Sequence, residues 1–147
     1  MARHRQSEPY RQNQNPAERR YQDIKRLANT ILDRTGAPND LWLLALRYAS
    51  FVYNHTAVKS LNWKTPISVL TGITPDSVLL RFAFYELVYF KNDEPSFPSE
   101  SPESLGRIAG IAEHVGHALT YKILDPSTNR IICIPIQTRS WIFTDSN

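Results

Sequence analysis

Three residues early in the chain have the types and spacing to do chemistry together. In "NPAERRYQDIKRLANT", Glu18, Gln22 and Lys25 follow one another at steps of four and three. At about 100° per residue, such steps place a carboxylate, an amide and an ammonium along one side of a helix, with Asn29 continuing the line. A carboxylate can ligate a hard divalent cation, and an ammonium two turns on can take a phosphate. The same glutamate also falls where a capping-box carboxylate sits at an ordinary helix start. Periodicity alone favours the cap. Arg19 and Arg26 fall on another side of the same helix.

The rest of the chain offers little catalytic chemistry. His114 and His117 stand three apart in "EHVGH", where a hairpin turn is the better reading than a metal pair. No Gly-rich phosphate loop occurs, because "GITPDS" and "GRIAG" lack the required spacing and the adjoining lysine. The order of residues suggests no Ser/His/Asp or Cys/His set. "NHT" at Asn54 matches a glycosylation sequon, without meaning for an intracellular chain. Trp42 and Trp63 are expected to fill the core rather than stack on bases.

The element that must position Glu18 has clear boundaries. Asn15 is a good N-cap, Pro16 suits the first helical position, and Gly36 with Pro38 stops the helix. Ala17, Tyr21, Ile24, Ala28 and Ile31 form its apolar stripe. "DLWLLALRYASFVYN" is apolar on nearly every face and predicts a helix packed on several sides, with Asp40 as its cap. "KTPISVLTG" predicts a third, short helix capped by Thr65 and closed by Gly72. The texture changes near residues 73–80. Downstream, "FAFYELVYF", "RIAGIAE", "ALTYKIL" and "RIICIPI" are β-rich runs, with a "DPSTN" turn between the last two and a Pro/Ser/acidic loop, "DEPSFPSESPES", after the first. The expected organisation is a polar basic arm at 1–14, a helical part at 15–73, a linker at 74–80 and a β domain at 81–147.

The chain has 147 residues, 41% of them hydrophobic, with a formal charge of +3. Through Thr30 there are seven basic residues (Arg3, Arg5, Arg11, Arg19, Arg20, Lys25, Arg26) against Glu8, Glu18 and Asp23, an excess of +4. The remaining residues sum to −1. A polyanion would therefore be drawn to the N-terminal end, although a solvated basic tail has the same composition. Cys133 is the only cysteine, which excludes an intrachain disulfide and makes a reducing compartment the default. Its place in "IICIPI" suggests a small buried hydrophobe. No apolar run reaches the roughly 20 residues of a membrane span, and the basic start lacks the apolar core of a signal peptide. A soluble, intracellular protein is expected.

The stretch from "QNQNPAERRYQDIKRL" to "ALRYASFVYN" resembles the integrase segment of copia-type retrotransposon polyproteins. There, a Gln/Asn-rich loop leads into an Ala-Glu-Arg helix start, followed by a Gly-containing turn and a Trp-bearing helix. "YNHTAVKSLNWKTPISVLTGITP" continues the likeness with an N-x-(S/T) element and a T-P run ending in G-x-x-P. "LGRIAGIAEHVGHALTYKILDPSTNRII" resembles the small β-barrel after the catalytic core. The likeness spans Pro9 to about Arg139. It implies an α+β chain: C-terminal helices of a ribonuclease H-like core, then a small Src-homology-3-like barrel. It also implies DNA binding and metal-dependent DNA strand transfer, with Glu18 as the third carboxylate of an Asp-Asp-Glu set holding two Mg²⁺ or Mn²⁺ ions. Lys25 matches a position associated with the DNA end, and Gln22, Arg11 and Arg19 are further DNA-binding candidates. The implied partners are retrotransposon ends and target DNA, the remainder of the integrase core and a second copy of the chain. No membrane partner is expected, and the resemblance implies an intracellular protein that, if functional, acts in the nucleus.

The chain departs from the family in two ways. "PYRQNQNP" is one residue shorter than the usual loop, and the only acid before Glu18 is Glu8. Asp23, Asp33 and Asp40 follow it on later helical positions and cannot replace the two upstream aspartates. The family's zinc-binding His/Cys module is also absent from these residues. The expectation is therefore a fragment that binds no metal and is inactive alone. A non-catalytic nucleic-acid-binding or scaffolding module is the other reading.

Overall fold

A computed structural model describes residues 15–91, 103–113, 120–135 and 142–143. The basic arm with Arg11, most of the Pro/Ser/acidic loop and the His114/His117 turn lie outside the described residues.

Helix α1 spans Pro16–Thr35. The Asn15 side chain accepts from the Ala17 N–H at 3.1 Å, and the helix closes at Gly36, whose N–H reaches the Leu32 carbonyl. Helix α2 spans Trp42–Asn54 and is entered through a 3-10 turn at Asn39–Leu41. Asp40 is not its cap, because it sits inside that turn; Leu41 holds the cap position without a side-chain bond. Helix α3 spans Pro66–Thr71, capped by Thr65 and closed by Gly72 as the sequence predicts.

Ala28 and Leu32 of α1 meet Ala45 and Ala49 of α2 in a buried cluster, with Ile24, Leu27 and Ile31 packed around it. Small residues let the helix backbones approach closely. The expected stripe therefore buries from Ile24 onward, whereas Ala17 is exposed and Tyr21 is 51% exposed. Arg20 ties this outer part down instead, with its guanidinium 4.6 Å from the centre of the Tyr53 ring.

The sheet contains β1 (Leu87–Lys91), β2 (Glu103–Ile111), β3 (Thr120–Asp125), β4 (Arg130–Pro135) and β5 (Ile142–Phe143). Its order is β4-β3-β2-β1-β5, with every neighbour antiparallel. The fold is thus mixed α+β. The pairing of β2 and β3 shifts between Ile108 and Gly110, and Gly110, at φ 134°, supplies a backbone that other residues rarely adopt. At the β3–β4 turn, the Asp125 carboxylate accepts from the Ser127 N–H, the Ser127 hydroxyl and the Thr128 hydroxyl. Those bonds hold its carboxyl below the usual range.

Val88, Phe90, Ile108, Tyr121, Ile123 and Phe82 form the sheet's core. The "FAFYELVYF" run is not one strand. Its first half turns, with Tyr85 at φ 63° and Glu86 accepting from the Ala83 N–H, and β1 begins only at Leu87. Phe82 joins the sheet's core, whereas Phe84 joins the helical cluster. The Tyr48 hydroxyl donates to the Phe82 carbonyl at 3.2 Å, another link between the helices and this segment. Cys133 is exposed rather than buried, because β4 lies at the end of the strand order and has no described strand beyond it.

The buried Tyr121 ring sends its hydroxyl to the Val78 and Leu79 carbonyls, at 2.8 and 3.2 Å. It thereby fastens the sheet to a 3-10 turn at Ser77–Leu80. Burial pushes its phenol up to about 12. Tyr121→Phe leaves both carbonyls without this donor and should lower stability by about 1 kcal/mol in urea melts. A phenol whose folded value is raised contributes stability below its unfolded value, about 10. That contribution is lost as pH climbs toward about 12. The parent should therefore lose stability over this range more steeply than Tyr121→Phe.

Candidate nucleic-acid interface

Helix α1 carries the sequence-predicted site residues as a strip rather than as a pocket. Glu18 and Gln22 are half-buried, and Lys25 is exposed one turn further on. Arg19 and Arg26 are also exposed, on a neighbouring side of the helix. At 1.5 Å per residue, Arg19 and Lys25 stand about 9 Å apart along the axis. The structure thus places Glu18, Gln22 and Lys25 together along one line, with Arg19 beside them.

The capping-box alternative for Glu18 is not formed. Asn15 caps the helix through Ala17, and Glu18 accepts no hydrogen bond among the described residues. Its carboxylate still sits in the first turn of α1, where the helix dipole favours negative charge.

Two divalent ions each need several oxygen ligands. Among the described residues, no three His, Cys, Asp or Glu side chains gather into such a group. One half-buried carboxylate therefore does not fit a two-ion centre by itself. What the strip can do is present cations and one amide to a phosphate backbone.

Two clefts lie away from the strip. One, of about 310 Å³, runs between α2 and the sheet and is lined by Arg47, Phe51, Ala112, Glu113 and Lys122. The other, of about 410 Å³, lies beside the segment between α2 and α3 and includes His55, Trp63, Lys64, Asp76 and Ser77. His55 stacks on Phe51 with ring centres 3.9 Å apart, and its Nδ1 lies 2.8 Å from the Phe51 carbonyl. A carbonyl only accepts, so Nδ1 carries the proton and Nε2 is left for another partner.

Both tryptophans expected in the core are on the surface: Trp42 is 57% exposed and Trp63 is 70% exposed. Trp42 is the first residue of α2. Trp63 belongs to a tight turn in which the Lys64 N–H bonds the Leu61 carbonyl and both central residues have positive φ, Asn62 at 54° and Trp63 at 62°. Sequence reasoning missed this turn. Its one local signal is Asn62, a residue that tolerates the left-handed region.

The chain gives no match when compared with protein-family models, with curated proteins or with solved structures.

Proposed function

We propose that this chain is the C-terminal part of a copia-type integrase core followed by a Src-homology-3-like barrel, and that it binds DNA through its N-terminal basic residues. The observation that carries the DNA reading is the exposure of Arg19 and Lys25 on α1, in the same N-terminal stretch of sequence as Arg3, Arg5 and Arg11. The barrel reading is supported by the meander β1-β2-β3-β4 and by β5 returning to pair with β1, an order suited to closing a small barrel. Glu18, at the start of the α1 helix, fits the position of the third integrase carboxylate. Strand transfer would take place in the nucleus and needs two aspartates that these 147 residues do not place upstream of Glu18. The exposed cations of α1 serve equally a second reading, a nucleic-acid-binding or scaffolding module without catalysis.

The direct test is binding to unrelated DNA duplexes at low salt, followed by fluorescence anisotropy. Affinity should be nearly the same for each duplex, because phosphate contacts carry no sequence information. Replacing Arg11, Arg19 and Lys25 together with alanine should weaken binding to all of them alike and flatten the salt slope by about 2.7. An unchanged slope would exclude these three residues from the interface.

A further inference from the structure

Trp63 occupies a seat that the backbone disfavours and that burial does not reward. The turn Leu61–Lys64, with positive φ at both central residues, is of the type that normally takes Asn-Gly. Asn62 suits the first of those places. The second, where glycine is the norm, holds the largest side chain of all, at φ 62°. Such strain persists only where the surroundings over-determine it. Here the Val58–Lys64 bridge does so, with Val58 N–H to Lys64 carbonyl and Trp63 N–H to Val58 carbonyl both at 3.1 Å. An indole that is 70% exposed returns little hydrophobic stabilisation for that conformation. The turn holds the ring at the edge of the 410 Å³ cleft, whose lining also includes Lys64 and His55.

We propose that Trp63 is a stacking platform for an unpaired base of single-stranded DNA, with Lys64 taking the adjoining phosphate in the cleft between the α2–α3 segment and residues 74–80. The chemistry of the lining selects this occupant. A bare indole face accepts a planar base, and base–aromatic stacking tolerates every sequence. A cationic ligand is disfavoured, since the cleft holds only one indole and sets an ammonium beside it. The Asp76 carboxylate also lines the cleft and keeps its charge while its Oδ1 accepts from the Val78 N–H at 3.0 Å, so the phosphate is assigned to the Lys64 ammonium. Duplex DNA cannot fill the role, since its bases have both faces covered. The inference builds on the nucleic-acid reading above but uses different residues, so the two can fail separately.

The test uses the full chain carrying Trp42→Phe and Trp141→Phe, which leaves Trp63 as the sole indole emitter. A labelled short oligo(dT) reports binding by anisotropy while Trp63 emission is recorded in the same titration. Emission should be quenched saturably, in step with binding. Trp63→Ala should weaken oligo(dT) binding by about 5- to 150-fold, whereas Trp63→Phe retains most of it. Trp63→Gly suits the left-handed turn and should melt no lower than Trp63→Ala, so loss of binding in it cannot be ascribed to misfolding. Binding without quenching, or full affinity in Trp63→Gly, overturns the proposal. Equal quenching by thymidine monophosphate at the same concentration also overturns it, in favour of a free nucleotide. Duplex binding by the same protein without oligo(dT) quenching leaves the arginine-borne reading standing alone. Quenching without duplex binding does the reverse, and binding to neither removes both.

Discussion

In a fusion that supplies two aspartates at integrase spacing upstream of Glu18, Glu18→Gln reduces DNA strand transfer to background while leaving DNA binding and thermal unfolding near those of the parent. Glutamine keeps the length and shape of the side chain but loses the negative charge and one anionic oxygen. A hard cation such as Mg²⁺ depends on that charge. The fold does not depend on it. Glu18 is half-buried, accepts no hydrogen bond among the described residues, and its helix is capped by Asn15. What the substitution removes from stability is a first-turn interaction with the helix dipole, about 0.3–1 kcal/mol. Strand transfer and melting temperature, measured on the same preparations, separate the two roles. Persisting strand transfer would return Glu18 to the status of an ordinary first-turn acid.

The helix boundaries were legible in the sequence because caps are local. Asn15-Pro16 with Gly36, and Thr65-Pro66 with Gly72, act through hydrogen bonds and φ values within a few residues. The "DPSTN" turn was legible for the same reason, since Asp125 satisfies it from its own side chain. The Glu18–Gln22–Lys25 strip follows from helical period alone.

Burial was less legible, because it depends on which element packs where. Asp40 looks like a cap, yet the chain takes a 3-10 turn around it. The alternation in "FAFYELVYF" suggests one strand, but Phe82 and Phe84 belong to two different hydrophobic clusters, and the backbone must turn to serve both. Cys133 lies in an apolar run and is exposed, with no described strand beyond its own. Residue type points Trp42 and Trp63 into the core, and the structure holds both rings on the surface. The two-residue β5 is too short to leave a pattern of its own. In the candidate site, the conformation of Trp63 was hidden because its turn departs from the Asn-Gly signature at the residue that matters.

Raising salt from 50 to 200 mM should cost the chain about 500-fold in affinity for duplex DNA, on the basis of five phosphate contacts at about 0.9 log units each per decade of salt. The five are Arg3, Arg5, Arg11, Arg19 and Lys25. Two of them, Arg19 and Lys25, are exposed on α1. The excess of +4 through Thr30 makes this end the attractive one, and the −1 carried by the remaining residues adds no attraction of its own. Arg20 is left out of the count because its guanidinium lies over the Tyr53 ring. Each arginine or lysine that neutralises a phosphate releases condensed counterions, and the entropy of that release shrinks as bulk salt rises. Binding carried by stacking at Trp63 has no such slope beyond the single phosphate at Lys64. The salt dependence of duplex binding and that of single-strand binding should therefore diverge, steep for the first and shallower for the second unless the same arm also engages the single strand. A duplex affinity that does not respond to salt, or that is absent at 50 mM, would remove the basic N-terminal end as a DNA-binding surface.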